Sequence, residues 1–329
     1  MRSLYVSQSG CNLSLNQEQV LIKQGQDVLD QVQLPMLEQV LIFGQSQVTS
    51  QLTRACLNHN IPIVYLSRMG RCYGRLVPIE RGYRSLARQQ QALSGDDRLR
   101  VARAIVGAKV KNSRVLLQRQ YRRLESATLK GAITNLTTSL DRIKQADAIE
   151  RLMGFEGTAA ACYFAVLGEC LTNEEFSFQT RSRQPPLDPI NAMLSFGYQL
   201  LWNHLLSLIE LQGLDPYEAC LHQGSERHAA LASDLIEEFR APLIDSLVLY
   251  LVNSSIVSVE TDFDYPAGAC YLNGEGRKKF LRAFLQRMEA SLATPDGPQP
   301  RWDLLNRQVK LFRQFVSNPS LGYKPYVIR

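Results

Sequence analysis

The first 80 residues contain short apolar runs with the length and composition of β-strands. Branched or aromatic residues cluster in four runs, at 4–6, 20–22, 40–43 and 63–66. Glycines separate these runs, as is typical of strands joined by turns. A short helix is predicted at about 49–58, between two of the strands. The pattern therefore predicts a small β-rich N-terminal domain.

After Pro78 the apolar residues recur at helical spacing to the end of the chain. Asp188 and Pro189 begin the clearest helix, because Asp can cap a helix and Pro fits its first turn. The stretch that follows, to Leu208, is apolar on nearly all sides, which predicts a buried helix at the axis of a helical domain. Residues 294–300 are predicted to form a loop between two later helices. The predicted fold class is α+β, with a β-rich N-terminal domain at 1–80, a linker at 81–92 and a larger all-α domain at 93–329.

The positive charge is concentrated in one helical segment. The formal net charge is +6, but residues 98–123 hold nine bases and no acid, so the remainder carries 6 − 9 = −3. Apolar residues alternate with these bases at helical spacing. A block of one sign suits a polyanion such as nucleic acid. A solvated helix face is the alternative, although i,i+4 pairing normally mixes the signs there.

The remaining composition excludes several classes of protein. No stretch reaches the ~18 apolar residues of a membrane span, and the first residues lack the apolar core of a signal peptide. The seven cysteines include no CxxC pair, so neither a zinc knuckle nor a disulfide framework is indicated. We therefore expect a cytoplasmic protein that does not bind membranes.

One histidine precedes a group of acids by a short, glycine-containing turn. His222 comes before a helix that is expected to begin near Glu226 and to carry Asp234 and Glu237. This helix could present a carboxylate to the imidazole, although acids on helices are usually solvated. By contrast, His204 lies within the buried helix and is most simply a core residue.

Glu156 lies between two glycines, ahead of an alanine-rich apolar segment. An acid at the mouth of a tightly packed helix is costly to bury without a partner, and a divalent cation would be such a partner. Two carboxylates and an imidazole suit Mn²⁺ and tolerate Mg²⁺. The chain has no Gly-x-Ser-x-Gly, Walker or GxGxxG motif. A metal near a basic groove fits phosphodiester chemistry.

Five ordered segments carry a resemblance to a known family. They are Gly-Phe-Glu-Gly at 154–157, Arg-Ser-Arg-Gln-Pro-Pro-Leu-Asp-Pro-Ile-Asn-Ala-Met-Leu-Ser-Phe-Gly-Tyr at 181–198, Gly-Leu-Asp-Pro-Tyr at 213–217, Leu-His at 221–222 and Ser-Asp-Leu-Ile-Glu-Glu-Phe-Arg at 233–240. The set resembles the CRISPR-associated integrases and endonucleases, the catalytic subunits of the spacer-acquisition complex. The likeness spans essentially the whole chain.

The resemblance implies a set of site residues, a cofactor and partners. Glu156, His222 and Glu237 would bind the catalytic Mg²⁺ or Mn²⁺, and Asp234 would be a second acid that supports the site. Whether Glu237 or Glu238 points inward is open, although spacing and the pairing with Asp234 favour Glu237. The resemblance also implies a homodimer through the β-rich domain and a small second CRISPR-associated protein that bridges two dimers.

The leading interpretation is a metal-dependent DNA endonuclease and integrase of CRISPR adaptation. The 3′-hydroxyl of a spacer precursor would attack a phosphodiester of the CRISPR repeat. Double-stranded DNA would be held through its phosphates by seven bases: Arg103, Lys109, Lys111, Arg114, Arg119, Arg122 and Arg123. The alternative is a non-enzymatic, helical nucleic-acid-binding module in which the acids are merely structural.

Overall fold

The chain folds into a β-rich unit followed by a helical unit, as predicted. The computed structural model describes residues 2–68, 70–78, 83–225, 228–294 and 297–328. The two units are Met1–Tyr83 and Arg84–Arg329. None of the helices in these described ranges has the length and apolarity that a membrane crossing requires.

Two four-stranded sheets form the first unit. Its strands are β1 (Arg2–Val6), β2 (Asn12–Asn16), β3 (Gln19–Gln24), β4 (Asp27–Gln33), β5 (Leu37–Phe43), β6 (Gln47–Val48), β7 (Ile63–Leu66) and β8 (Cys72–Leu76). One sheet has the order β1-β5-β7-β8 and the other β4-β3-β2-β6. The predicted helix is α1 (Ser50–Asn58), and the hydroxyl of Thr49 caps it by accepting the amide N–H of Leu52.

The first unit has a core of its own, to which both sheets contribute. Leu13, Val20, Val40 and Ile63 are at most 1% exposed, and α1 adds Leu52. The four predicted runs all lie in strands. The pattern missed β4 because that strand is exposed along almost its whole length and has no apolar face.

Ten helices are described in the second unit and its entry. They are α2 (Tyr83–Gln91), α3 (Gly95–Leu124), α4 (Ala127–Lys144), α5 (Ile149–Leu167), α6 (Pro189–Leu211), α7 (Ala230–Ile236), α8 (Ser246–Asn253), α9 (Val259–Asp262), α10 (Gly274–Glu289) and α11 (Arg301–Ser317). A π-helical turn, Arg240–Asp245, precedes α8. The domain predicted as all-α also has two short antiparallel pairs, β9 (Phe263–Asp264) with β10 (Tyr271–Leu272) and β11 (Ser291–Thr294) with β12 (Gly297–Pro300). The segment predicted as a loop at 294–300 therefore belongs largely to a hairpin, apart from residues 295 and 296, which lie outside the described ranges.

Helix α6 begins and packs as its sequence predicts. The Asp188 carboxylate accepts the amide N–H of Asn191 at 2.8 Å, and Pro189 is the first helical residue. His204 is 1% exposed, and its ring centroid lies 4.6 Å from that of Trp302. Burial lowers the pKa of His204 to about 3, so the imidazole is neutral. This confirms its interpretation as a core residue.

The segment predicted as a linker, 81–92, is mostly the helix α2. Residues 81 and 82 lie outside the described ranges. Near the end of α2, Gln90 is fully buried and its amide donates to the carbonyl oxygens of Asp215 and Glu218, at 2.8 and 2.6 Å. A buried amide bonded in this way packs this helix into the second unit.

Candidate active site

Four charged side chains and one histidine of the second unit form one electrostatic cluster, which we call the charged cluster. Lys109 comes from α3, Glu156 from α5, and His222 from the loop between α6 and α7. Glu237 follows α7 directly, and Arg240 opens the π-helical turn. Most sequence-predicted metal ligands thus meet a lysine that was predicted to contact DNA.

Lys109 joins the two glutamates. Its ammonium donates to Glu156 Oε1 and lies 2.7 Å from Glu237 Oε2. The side chains of Lys109 and Glu237 are only 15% and 4% exposed. A carboxylate buried this deeply requires a countercharge. Lys109 therefore neutralises the acids of the cluster and does not lie on an open surface.

Glu237 has a second cationic partner in Arg240. The guanidinium of Arg240 lies 3.3 Å from Glu237 Oε1, whereas Lys109 is at the other oxygen. Burial alone would raise the pKa of Glu237, but the charges of Arg240 and Lys109 outweigh it and lower that pKa to about 2. The carboxylate is therefore ionised throughout the neutral range.

Glu156 lies inside a helix and has a partner, which corrects the sequence-based expectation. Helix α5 runs through Gly154 and Gly157, so these glycines do not mark a helix mouth. An added Cβ at either glycine would meet nothing within 4 Å, so tight packing does not explain them. The predicted unpaired acid is paired with Lys109, which is 47 residues away in the sequence.

Asp234 positions His222 and the loop that carries it. Its fully buried carboxylate accepts the backbone N–H groups of Cys220, Leu221 and His222 at 2.7–2.9 Å. It also contacts Nδ1 of His222 at 2.8 Å. Since a carboxylate only accepts, Nδ1 carries the proton and Nε2 remains available as an acceptor or a ligand.

The electrostatics of His222 follow from the same contact. Burial lowers the pKa of His222, but the hydrogen bond and charge of Asp234 outweigh it and leave that pKa above its ordinary value. The nearby charge of Glu237 acts in the same direction. The helix that carries Asp234 begins at Ala230 rather than near Glu226, which lies outside the described residues.

Glu238 points away from the charged cluster. Its carboxylate accepts hydrogen bonds from the Gln308 amide at 2.8 Å and the Tyr326 backbone at 2.6 Å, and another from the Tyr323 hydroxyl. Burial raises the pKa of Glu238 to about 7, although these three hydrogen bonds oppose the shift. Of the two adjacent acids, Glu237 is the one that joins the cluster.

The sequence analysis missed the residues that support Arg240. The Arg240 guanidinium lies 4.5 Å from the ring centroid of Tyr198. The hydroxyls of Tyr198 and Tyr163 donate to the buried carboxyl of Asp245 at 2.5 and 2.8 Å. These side chains line a cavity that also borders Lys109. The only local sequence signal for this support was the i,i+3 spacing of Glu237 and Arg240, which suits an ion pair.

The basic segment 98–123 does not form one continuous surface. Arg98 donates to the carbonyl oxygen of Ala219 at 2.7 Å, and Arg100 pairs with Asp97. Lys109 belongs to the charged cluster. These bases have partners from outside the segment, so an acid-free run does not mean unpaired bases.

Other bases of the segment line a separate groove between α3, α4 and the C-terminal tail, which we call the α3–α4 groove. Arg103, Lys111 and Arg114 of α3 and Lys144 of α4 contribute to it. Lys111 is exposed on α3. Arg119, Arg122 and Arg123 are also exposed, nearer the end of the helix. Exposed bases with this arrangement can contact phosphates.

The donor set of the charged cluster fits a hard divalent cation. In the described part of the chain, no three His, Cys, Asp or Glu side chains form a group that could hold a metal as they stand, and the ammonium of Lys109 lies between the two glutamates. Two carboxylates that already share a cation are nonetheless suitable ligands for Mg²⁺ or Mn²⁺. An imidazole whose other nitrogen is bound to a carboxylate is the usual form of a histidine ligand.

Comparison with known proteins identifies the family. The family model described as CRISPR associated protein Cas1 matches residues 4–286. The chain belongs to the Cas1 family. A relative named CRISPR-associated endonuclease Cas1 1, from Chlorobaculum tepidum, is 32% identical over 340 residues, which cover 100% of this chain and 99% of the relative. The resemblance drawn from the five sequence segments is thereby confirmed.

Two solved structures share the Cas1 fold with this chain. One, a casposase bound to integration product, has a TM-score of 0.83 at 21% identity and covers 98% of this chain and 92% of its own. A chain of a Cas6-RT-Cas1–Cas2 complex has a TM-score of 0.80 at 24% identity and covers 97% of this chain and 35% of its own. Membership of the Cas1 family places this chain among CRISPR-associated proteins, and the relative from Chlorobaculum tepidum is named an endonuclease.

Proposed function

We propose that the chain is a metal-dependent DNA endonuclease and integrase, which inserts new spacers by attack of a 3′-hydroxyl on a phosphodiester of the repeat. The observation that carries the proposal is a pair of carboxylates, Glu156 and Glu237, that share the Lys109 ammonium. Near them lies the His222 imidazole, which Asp234 holds. Glu156, His222 and Glu237 would hold Mg²⁺ or Mn²⁺. When bound, the metal would polarise the phosphate and stabilise the leaving oxygen.

The protein side chains orient this site. Asp234 fixes the ring of His222 so that Nε2 is the nitrogen left for a ligand. The guanidinium of Arg240 lies over the ring of Tyr198 and pairs with Oε1 of Glu237. Cutting and joining would use the same residues, because the product depends on whether water or a 3′-hydroxyl is positioned for attack.

DNA binding and assembly are further parts of the proposal. The exposed bases of the α3–α4 groove and of the end of α3 would contact backbone phosphates without reading bases. We propose a homodimer through the β-rich unit and a small second CRISPR-associated protein that bridges two dimers. The similar chain in the complex that contains Cas2 supports such a partner.

A strand-transfer assay tests the reaction. The assay combines a supercoiled plasmid that carries the repeat, a short duplex with free 3′-hydroxyls, Mn²⁺ and the small partner. Glu156→Gln, His222→Ala and Glu237→Gln should each lower nicking and joining together by roughly 100-fold or more. The matched control is Glu150→Gln, which removes an exposed acid from the first turn of the same helix as Glu156.

Two outcomes would contradict this function. Nicking that is indifferent to a 3′-blocked duplex, with no joined product, would leave a plain nuclease. Absence of both reactions in the unmodified protein, with DNA binding retained, would favour the non-enzymatic binding module. One observation favours that alternative: Lys109 and Arg240 already neutralise Glu156 and Glu237.

A further inference from the structure

Lys109 is an unusual neighbour for a metal site, because its charge lies where a metal would bind. Its ammonium contacts both Glu156 and Glu237, which are two of the three proposed ligands. The helix around it is firmly packed, since the adjacent Ala108 and Val110 are each 2% exposed. The backbone therefore keeps Lys109 beside these carboxylates, and only its flexible side chain is free to move.

The charges of the cluster exclude binding of a divalent metal ion while the Lys109 ammonium contacts the two glutamates. Lys109 and Arg240 contribute two positive charges, and Glu156 and Glu237 contribute two negative charges. The net charge of these four side chains is therefore already zero. A divalent cation added to this arrangement would face the ammonium at short range, where repulsion is strong in a partly buried site. Lys109 contacts Oε1 of Glu156 and Oε2 of Glu237, so its ammonium occupies one oxygen on each of the two glutamates that would hold the metal.

We propose that Lys109 is the counterion of the metal-free site and must leave both carboxylates before a divalent metal binds. This inference rests on the metal site of the proposed function. A lysine side chain has four flexible carbons and can make this change without a shift of the helix.

Metal affinity without DNA is the first measurement. Mn²⁺ is titrated calorimetrically into the full chain and into Lys109→Met, which keeps an unbranched side chain, one atom shorter, and removes its charge. Loss of the competing charge should tighten Mn²⁺ binding on the order of ten- to a thousandfold. Without metal, Lys109→Met should melt at a lower temperature than the unmodified protein. Saturating Mn²⁺ should remove this difference, because the buried acids regain a countercharge.

Two control variants isolate the effect of this one charge. Lys111→Met makes the same change two residues away, in the α3–α4 groove, and should leave Mn²⁺ affinity within roughly twofold. Lys109→Arg keeps the competing charge and should not reproduce the tighter binding. Affinity in Lys109→Met that is unchanged or weaker than in the unmodified protein would overturn the inference.

The second measurement uses the unmodified protein and does not depend on whether a variant folds. Amine acylation is followed by mass spectrometry with and without saturating Mn²⁺. The ion-paired amine of Lys109 should react slowly without metal and several-fold faster with it, whereas exposed Lys111 and Lys144 should not change. Labelling of Lys109 that stays constant or falls on metal binding would show that the ammonium is not released.

The outcomes separate this inference from the proposed function. Mn²⁺ binding by the unmodified protein that neither Lys109→Met nor the labelling experiment links to Lys109 overturns the inference and leaves the metal site intact. Absence of Mn²⁺ binding in both the unmodified protein and Lys109→Met overturns the metal site and the inference together. Binding that appears only in Lys109→Met supports the inference.

Discussion

Asp234 is the residue on which the geometry of the His222 loop most depends. One buried carboxylate accepts four N–H groups, with Cys220 and Leu221 on Oδ2 and two groups of His222 on Oδ1. Hydrogen bonds to a charged acceptor contribute more than those between neutral groups. The acid therefore positions the histidine and stabilises the turn before α7.

Asp234→Asn should destabilise the second unit by roughly 3 kcal/mol. The new amide nitrogen would face N–H donors and leave two of them without an acceptor. Urea unfolding can be followed by fluorescence of Trp202 and Trp302, the only tryptophans of the chain, both in this unit. The control Asp147→Asn removes an exposed i,i+4 partner of Arg151 and should cost far less, because solvent screens an exposed ion pair. Equal losses in the two variants would refute the assigned role of Asp234.

Glu238 should make the stability of the second unit depend on pH. Its pKa is raised from 4.5 to about 7 in the folded protein. Its contribution is therefore complete below about pH 4.5 and is lost as the pH rises to about 7, because the unfolded chain releases this proton first. Glu238→Gln cannot titrate, so its stability relative to the unmodified protein should rise across this window, at most by roughly 1.4 kcal/mol per pH unit.

The measurement is urea unfolding of both proteins between pH 4 and 8, again by tryptophan fluorescence. The control Glu174→Gln changes an exposed acid and should give a difference that does not vary with pH. A constant difference for Glu238→Gln as well would show that this carboxyl does not retain its proton on folding.

At the scale of elements, α3 serves two sites from different positions along its length. Lys109 reaches the charged cluster, whereas Arg103, Lys111 and Arg114 line the α3–α4 groove. In the middle of the same helix, the Asn112 side chain donates to the carbonyl oxygens of Glu238 and Tyr326, at 2.8 and 3.0 Å. The helix thereby holds the segment after α7 and the C-terminal tail together.

Lys111→Gln should weaken binding to all DNA sequences about equally and reduce the salt dependence of log K by about one, as expected for one lost phosphate contact. Fluorescence anisotropy on two unrelated duplexes at several salt concentrations measures both quantities. Lys130→Gln makes the same charge change on the exposed surface of α4, outside the lining of the groove, and should keep the original salt slope. A changed sequence preference with an unchanged slope would contradict phosphate contact.

At the scale of the whole molecule, the charged cluster depends on long-range packing of the second unit. Its residues extend from Lys109 to Arg240, and no local segment contains more than two of them. Helices α3, α4 and α5 pack on one another and bring Lys109 and Glu156 together. The first unit has a separate core, which suits its proposed role as a dimerisation domain.

The sequence by itself determined the features that depend on local chemistry. Apolar periodicity separated the β-rich unit from the helical unit, and the Asp188 cap with Pro189 marked the start of α6. The five family segments indicated Glu156, His222 and Glu237 as candidates. Local patterns were weaker for β4, whose exposure removes the apolar signal, and for Glu156, whose flanking glycines suggested a helix start that the fold does not have.

Only the tertiary structure decided which charges meet. It showed that Lys109 neutralises Glu156 and Glu237, that Glu238 turns to the C-terminal tail, and that the basic segment divides between two sites. The partners in the first contact are 47 residues apart, and those in the Glu238 contact are 88 apart. Periodicity and spacing indicate the neighbours of a residue along one element. Ion pairing in a buried site depends instead on how separate elements pack, because a buried charge requires an opposite charge close by, whichever element supplies it.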